Sequence, residues 1–315
     1  MCPLNNNNNK HMNNQHYKKQ VALLLNVLPE VAKESCFALH GGTAINLFVR
    51  EMPRLSVDID LTYIPIENRN STLKNISDAL ERIKSNIENT ILKSNIIHQK
   101  EILKLLISTR DAQIKLEVNQ AIRRLINNSN KLELCEVAQK EYDVFCAIQI
   151  VPLEQLYGGK ICAALDRQHP RDLFDVNYLL KNEGFTNTIK KGFLFSLLSS
   201  NRPINEMLFP NLLDMRLSMT NQFEGMSKEL FSYDDFEKTR NELIGAIHNS
   251  LTAEDKKFLL AFKNLTPDWS IYNFENFPAI QWKLKNLKVL KENNPKKHKA
   301  LYEHLKEKLD KIIIR

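Results

Sequence analysis

The sequence predicts an α+β protein, with a small sheet flanked by helices in its N-terminal part and a mostly helical region after it. Three observations carry that prediction. Short alternating or apolar stretches recur between Phe37 and Val151 with helical spacings among them. Helical spacing then takes over from Leu153. Within the first of these stretches, Gly41-Gly42 and the pair Asp58 and Asp60 introduce residues whose types point to chemistry.

In chain order, Asn5 to Asn9 with Asn13 and Asn14 form a polar tract that cannot bury surface, so residues 1–16 are expected to be a disordered tail. Tyr17 to Lys33 places Val21, Leu24, Leu25 and Leu28 on one helical face. Phe37 to Leu39 reads as the end of a strand, Gly41-Gly42 as a sharp turn with amides free for an anion, and Thr43 as a cap for a helix from Ala44 to Arg50. From Ser56 to Leu61 a period of two sets Ser56, Asp58 and Asp60 on one face and Val57, Ile59 and Leu61 on the other. Ser71 to Lys93 is helical in spacing. Ile96 to His98, Lys104 to Thr109 and Ile114 to Asn119 follow as strands, the last two joined by a tight turn at Arg110-Asp111-Ala112. Cys146 to Val151 is a further strand, and Pro152 opens the helix Leu153 to Asp166. His169-Pro170 separates it from the helix Arg171 to Lys181, and a domain boundary is expected near Gly184.

Composition limits the functions available. An apolar fraction of 43% over 315 residues suits a globular protein of one or two domains. No run approaches the ~20 apolar residues of a membrane span, and no secretory h-region opens the chain. The five cysteines are scattered without Cys-x-x-Cys spacing, which argues against a zinc site or a disulfide framework and fits a cytoplasmic location.

Two carboxylates on one strand face repel unless a cation lies between them. Hard oxygen donors beside an anion-binding turn suit Mg²⁺, with Mn²⁺ as the alternative. An EF-hand is excluded because no glycine and closing glutamate follow, and a Walker A loop because no Gly-Lys-Ser/Thr follows the glycines. The plainer reading makes Gly41-Gly42 a turn and Asp58 and Asp60 the polar side of an edge strand.

Taken together, Gly41-Gly42-Thr43-Ala44 and Arg54-x-Ser56-x-Asp58-x-Asp60-Leu61 resemble the first motif of the DNA polymerase β-like nucleotidyltransferases, and within them the AbiEii/AbiGii toxin family. The resemblance implies a nucleotidyltransferase core over 17–183, built as a small mixed sheet flanked by helices, and a helical C-terminal region over 184–315. Gly41, Gly42, Thr43 and Ser56 then become nucleotide-binding candidates, and Asp58 and Asp60 metal ligands. A third carboxylate is expected on a neighbouring strand, where Glu117 matches; an exposed edge-strand glutamate is the alternative.

A further group comprises Gly158-Gly159-Lys160, Arg167 and the segment Arg171-Asp172-Leu173-Phe174-Asp175. Paired glycines inside a helical pattern cost about 1 kcal/mol each and invite a reason, such as close approach of backbone or ligand. Lys160 would bring a cation to a nucleotide's outer phosphates, and Arg171 could contact phosphate. The toxin family likewise has a Lys on such a helix and an Arg-Asp-x-x-Asp segment after it, so Lys160, Asp172 and Asp175 are catalytic candidates. An ion pair between Arg167 or Arg171 and either aspartate is the structural alternative.

Gln281 to Arg315 holds eleven Lys/Arg against four acids, an excess equal to the net charge of the whole chain, +7. That basic end fits RNA phosphate or an ordinary solvated lysine face equally well. The expected function is that of a toxin transferring a nucleoside monophosphate from an NTP to an acceptor hydroxyl on tRNA or another RNA, with a cognate antitoxin and a role in toxin–antitoxin or phage-defence systems. The alternatives are transfer to a small hydroxylated molecule or a protein, and a silent nucleotide-binding module.

Overall fold

The computed structural model describes residues 4–313. They cluster into two compact units, Met1–Pro152 with Leu217–Phe231, and Leu153–Arg216 with Ser232–Arg315. The division falls at Pro152, so the helices that follow it group with the C-terminal helices, whereas the sequence reading placed the boundary near Gly184.

The first unit contains α1 (Leu4–Ala32), β1 (Phe37–His40), α2 (Gly41–Ala44), β2 (Asp58–Tyr63), α3 (Arg69–Thr90), β3 (Asn95–Gln99), β4 (Lys104–Ser108), β5 (Gln113–Val118), β6 (Asn130–Glu133), α4 (Glu136–Tyr142) and β7 (Ala147–Ile150). The seven strands form one mixed sheet in the order β3-β4-β5-β2-β1-β7-β6. β2 runs antiparallel to β1 and parallel to β5. One face is apolar: Leu39, Ile59, Leu61, Leu105, Ile107 and Leu116 are fully buried, as are Val21, Leu24, Leu25 and Leu28 of α1 and Ile76, Leu80, Ile83 and Ile87 of α3. α1 contacts β5 and β7, while α3 contacts β3 and β4 and also α1, so the two helices cover the sheet.

Two local expectations are corrected. The polar start is helical from Leu4, continuous with the amphipathic segment, because extending an existing helix avoids the cost of a new nucleus; residues 1–3 lie outside the described residues. The turn at Gly41 is itself the first residue of α2, with His40 as its N-cap, and α2 runs on into a π-helical turn Ile45–Val49. Thr43 therefore lies inside the helix and does not cap it. β6 and α4 also form in a stretch that carried no strong periodic signal. The segment Leu217–Phe231 joins this unit through Leu55 N–H, which donates to Met226 O at 2.7 Å, and an antiparallel bridge between Arg54 and Ser227.

The second unit is helical: α5 (Leu153–Asp166), α6 (Pro170–Asn182), α7 (Asn187–Ser199), α8 (Ile204–Leu208), α10 (Tyr233–Ser250), α11 (Ala253–Lys263), α12 (Pro278–Asn293) and α13 (Pro295–Asp310), with the single turn α9 (Arg216–Ser218) at its edge. Reciprocal capping boxes start α10, through Ser232 and Asp235, and α11, through Thr252 and Asp255. Lys283 of α12 closes the end of α7, donating to Ser200 O at 2.5 Å and Arg202 O at 3.1 Å.

The glycine pair of α5 divides into two roles. A Cβ on Gly158 would lie 2.2 Å from Gly192 O, and one on Gly192 would lie 1.7 Å from Glu154 O, so α5 and α7 cross backbone to backbone there. A Cβ on Gly159 would meet nothing within 4 Å. Gly158→Ala or Gly192→Ala is expected to cost at least 2 to 3 kcal/mol, roughly the upper range for overpacking, while Gly159→Ala gains up to about 1 kcal/mol from helix propensity. Urea unfolding of the three variants checks this; equal effects at Gly158 and Gly159 would contradict it.

Candidate active site

The polar face of the sheet is assembled by register. Across four strands His40 of β1 pairs with Asp60 of β2, Asp60 with Glu117 of β5, and Glu117 with Lys104 of β4. Asp58 lies one pleat along from Asp60 and opposite Lys115. Residues paired this way share a face, so Asp58, Asp60 and Glu117 come together on the side of the sheet away from the apolar core. All three are partly exposed. Glu117 forms an ion pair with Lys104, and Thr62 Oγ1 lies 3.0 Å from His40 Nδ1 at the end of the row.

The Gly41-Gly42 turn closes on this row. Gly41 has φ +76°, and a Cβ there would stand 2.4 Å from Asp60 Oδ2. Only glycine satisfies both the left-handed backbone and the approach of that carboxylate. A Cβ on Gly42 would lie 2.7 Å from Arg54 Nη2 and 3.0 Å from Ser56 Oγ. The turn is braced from behind: Asn46 Nδ2 donates to Gly42 O at 2.9 Å, and Thr43 Oγ1 donates to Asp58 O and lies 3.0 Å from Ser56 Oγ. Thr43 is fully buried, so its hydroxyl holds the turn to β2. Arg54 is also buried and its Nη1 donates to Leu55 O at 2.9 Å.

Sequence reasoning left Arg54, Asn46 and Lys104 out of the candidate set. Arg54 stands in the motif that carried the family resemblance, so a signal for it was present. Lys104 meets Glu117 only through pairing of β4 with β5, and Asn46 meets the turn only once the helix starts at Gly41.

In the second unit, Lys160 on α5 meets both aspartates of α6. Its Nζ lies 2.8 Å from Asp172 Oδ1 and 3.0 Å from Asp175 Oδ2, and all three side chains are more than nine-tenths buried. The exposed Arg167 adds a two-point contact to Asp172, through Nε at 2.6 Å and Nη2 at 3.0 Å. The break at His169-Pro170 makes this possible: His169 caps α6, accepting from Arg171 N–H at its ring nitrogen, and starts the helix so that Asp172 and Asp175 fall one turn apart. Burial alone would raise the Asp172 carboxyl, but Lys160 and the hydrogen bonds from Arg167 outweigh it and hold Asp172 well below the usual carboxylate range. The Arg167 ion pair weighed as a structural alternative is thus formed.

Whether the first unit suits a divalent metal follows from its donors. Among the described residues no three His, Cys, Asp or Glu side chains gather to hold a metal unaided. What β2 offers is a pair of carboxylate oxygens at i, i+2 beside a glycine cradle. That set matches Mg²⁺, which commonly takes one or two carboxylates and completes its shell with substrate phosphates and water.

Comparison with known proteins gives the family and the fold. A family model described as nucleotidyl transferase AbiEii toxin, type IV toxin–antitoxin system, matches residues 22–286. Among solved structures, the fold is similar to MenT4, the nucleotidyltransferase toxin Rv2826c from Mycobacterium tuberculosis H37Rv, with a TM-score of 0.61 and 11% identity over 86% of this chain and 93% of that one. At that identity the likeness is one of fold. A search of curated protein sequences finds no match.

Two outcomes test this description. Gly41→Ala forces a left-handed alanine against Asp60 and is expected to lower catalysis at least 100-fold, with a stability loss of about 1 to 3 kcal/mol; activity near wild type would show that Asp60 is free to move. For Asp172, the depressed carboxyl stabilises the fold fully above its unfolded value of about 3.9, and the contribution is lost as pH falls below that. Asp172→Asn is expected to lose about 2 to 4 kcal/mol at neutral pH and then to show a flatter decline than wild type between about pH 5 and pH 2. Urea unfolding across that range measures both slopes.

Proposed function

The chain belongs to the AbiEii nucleotidyltransferase toxin family of type IV toxin–antitoxin systems, and from that premise we propose that it transfers a nucleoside monophosphate from an NTP to a hydroxyl of tRNA in a Mg²⁺-dependent reaction. The observation that supports it is the row Asp60–Glu117 with Asp58 one pleat away and Gly41 closed over Asp60.

In this reading the acceptor hydroxyl oxygen attacks the α-phosphorus, the bond from that phosphorus to the bridging oxygen of the β-phosphate breaks, and pyrophosphate leaves. Asp58 and Asp60 hold Mg²⁺, or Mn²⁺, which supplies charge neutralisation to the triphosphate. Glu117, on the next strand, accepts the proton of the hydroxyl at its carboxylate. The amides of Gly41 and Gly42 face the outer phosphates, Ser56 and Thr43 fix the turn that presents them, and Arg54 adds positive charge at Gly42. Such a site works by positioning and electrostatics, without a covalent bond to the protein.

We assign Lys160, Asp172 and Asp175 to the same reaction, as the resemblance of this segment to the toxin family implies. Lys160 is their shared counter-ion, and Arg171 is a candidate phosphate contact. The basic C-terminal helices support an RNA acceptor: Lys285, Lys288, Lys296, Lys297, Lys299 and Lys306 are exposed, whereas Lys283 is spent on the end of α7. Arg315 lies outside the described residues. A cognate antitoxin completes the system, and no helix among the described residues is long and apolar enough to cross a membrane; a cytoplasmic site of action is part of this proposal.

The test is incubation with total tRNA, Mg²⁺ and each α-labelled NTP in turn. Wild type is expected to label tRNA, with Asp58→Ala and Asp60→Ala reduced at least 1,000-fold while still folded by circular dichroism. Label in a small molecule or a protein would move the acceptor. Full activity of Asp60→Ala would overturn the assignment of the carboxylate pair.

A further inference from the structure

Arg123 is an anomaly in the first unit. It is 9% exposed, and among the described residues its Nε is buried without a hydrogen-bond partner and the charged group that acts on it is another cation, Arg69. Burial and the like charge of Arg69 pull its guanidinium below the usual range. Arginine does not escape such a site by losing its proton, so a buried guanidinium without a carboxylate carries an uncompensated cost.

The chain fixes this position. After β5, Asn119 Oδ1 accepts from Ala121 N–H and Ile122 N–H, both at 2.9 Å, which winds the loop into a turn. Arg124 N–H then donates to Tyr63 O at 2.9 Å, tying the loop to the end of β2. Arg69 begins α3 six residues after Tyr63, and it is exposed. α3 has 22 residues and no acid in its first turn, and the neutral Asn68 side chain caps it, Oδ1 accepting from Ser71 N–H at 3.0 Å, so the helix dipole places partial positive charge at this start. The acid nearest in sequence, Glu67, is engaged by Tyr63 Oη at 2.9 Å and by Asn75 Nδ2 at 2.9 and 3.0 Å.

We propose that Arg123, Arg69 and the first turn of α3 form a phosphate-binding site. The guanidinium fork matches the oxygens of a phosphate, and the helix start adds amide dipoles aimed at negative charge. The phosphate comes either from an RNA backbone or from a nucleotide. The site stands on the geometry of Arg123; its use by acceptor RNA rests on the function proposed above.

The experiment is thermal unfolding of the full chain with inorganic phosphate titrated against sodium chloride at matched ionic strength, for wild type, Arg123→Met and Arg69→Ala. Wild type is expected to gain about 2 to 4 °C from phosphate. Arg123→Met loses that response and melts at or above wild type in phosphate-free buffer, because an unpaired buried cation has been removed; Arg69→Ala keeps a reduced response. Phosphate responses equal to wild type in both variants, or no response in wild type, overturn the site. If Arg123→Met fails to fold, the exposed Arg69→Ala decides: a reduced response supports the site and an unchanged one overturns it. The source is then read from direct binding, where Arg123→Met weakens an RNA oligonucleotide at least 5-fold with NTP binding unchanged if the phosphate is in RNA, and the reverse if it is in the nucleotide. Failure of the nucleotidyl-transfer reading would show separately, as wild type that labels no acceptor while its phosphate shift persists.

Discussion

The register of β2 between β1 and β5 is the constraint on which the rest of the first unit depends. Side chains alternate along a strand, so a slip of one residue would turn Asp58 and Asp60 toward α1 and α3 and expose Ile59 and Leu61. The slip is opposed from both sides, since Leu39 and Leu61 pair across β1, Ile59 and Leu116 pair across β5, and all four are fully buried. Core packing thus fixes where the carboxylates stand. Gly41 completes the lock, because its backbone touches Asp60 only in this register.

The two units handle charge in opposite ways. In the first, Asp58, Asp60 and Glu117 stay partly exposed, with Lys115 opposite Asp58 and Lys104 paired with Glu117 across the sheet. In the second, Lys160, Asp172 and Asp175 are buried and satisfy one another, with Arg167 closing the network at the surface. A buried set of this kind is costly to break and tolerates no missing member, so its variants have to be read for stability and for catalysis separately.

Much of this was legible in the sequence because the signals were local. Period two over Ser56 to Leu61 identifies the face of Asp58 and Asp60, the turn at Arg110-Asp111-Ala112 identifies the β4–β5 hairpin, and Pro152 and His169-Pro170 mark helix starts at the observed places. What was not legible depended on contacts distant in the chain. Lys104 reaches Glu117 through strand pairing, Gly158 is explained by Gly192 on another helix, and segment Leu217–Phe231 returns to the first unit through a bridge at Arg54. Thr43 was misread as a cap because the helix begins three residues earlier than turn propensity indicates, on a glycine with left-handed backbone that stands against Asp60.

The central claim is that Asp58 and Asp60 together bind the divalent metal of a nucleotidyl-transfer site. Its most direct test is a crystal structure of the chain with Mn²⁺ and a non-hydrolysable NTP analogue, phased to show manganese by anomalous scattering. The account predicts a peak held by a carboxylate oxygen of each aspartate and by oxygens of the triphosphate, with Gly41 and Gly42 against the outer phosphates. Manganese and triphosphate bound away from β2, with Asp58 and Asp60 touching neither, would contradict it.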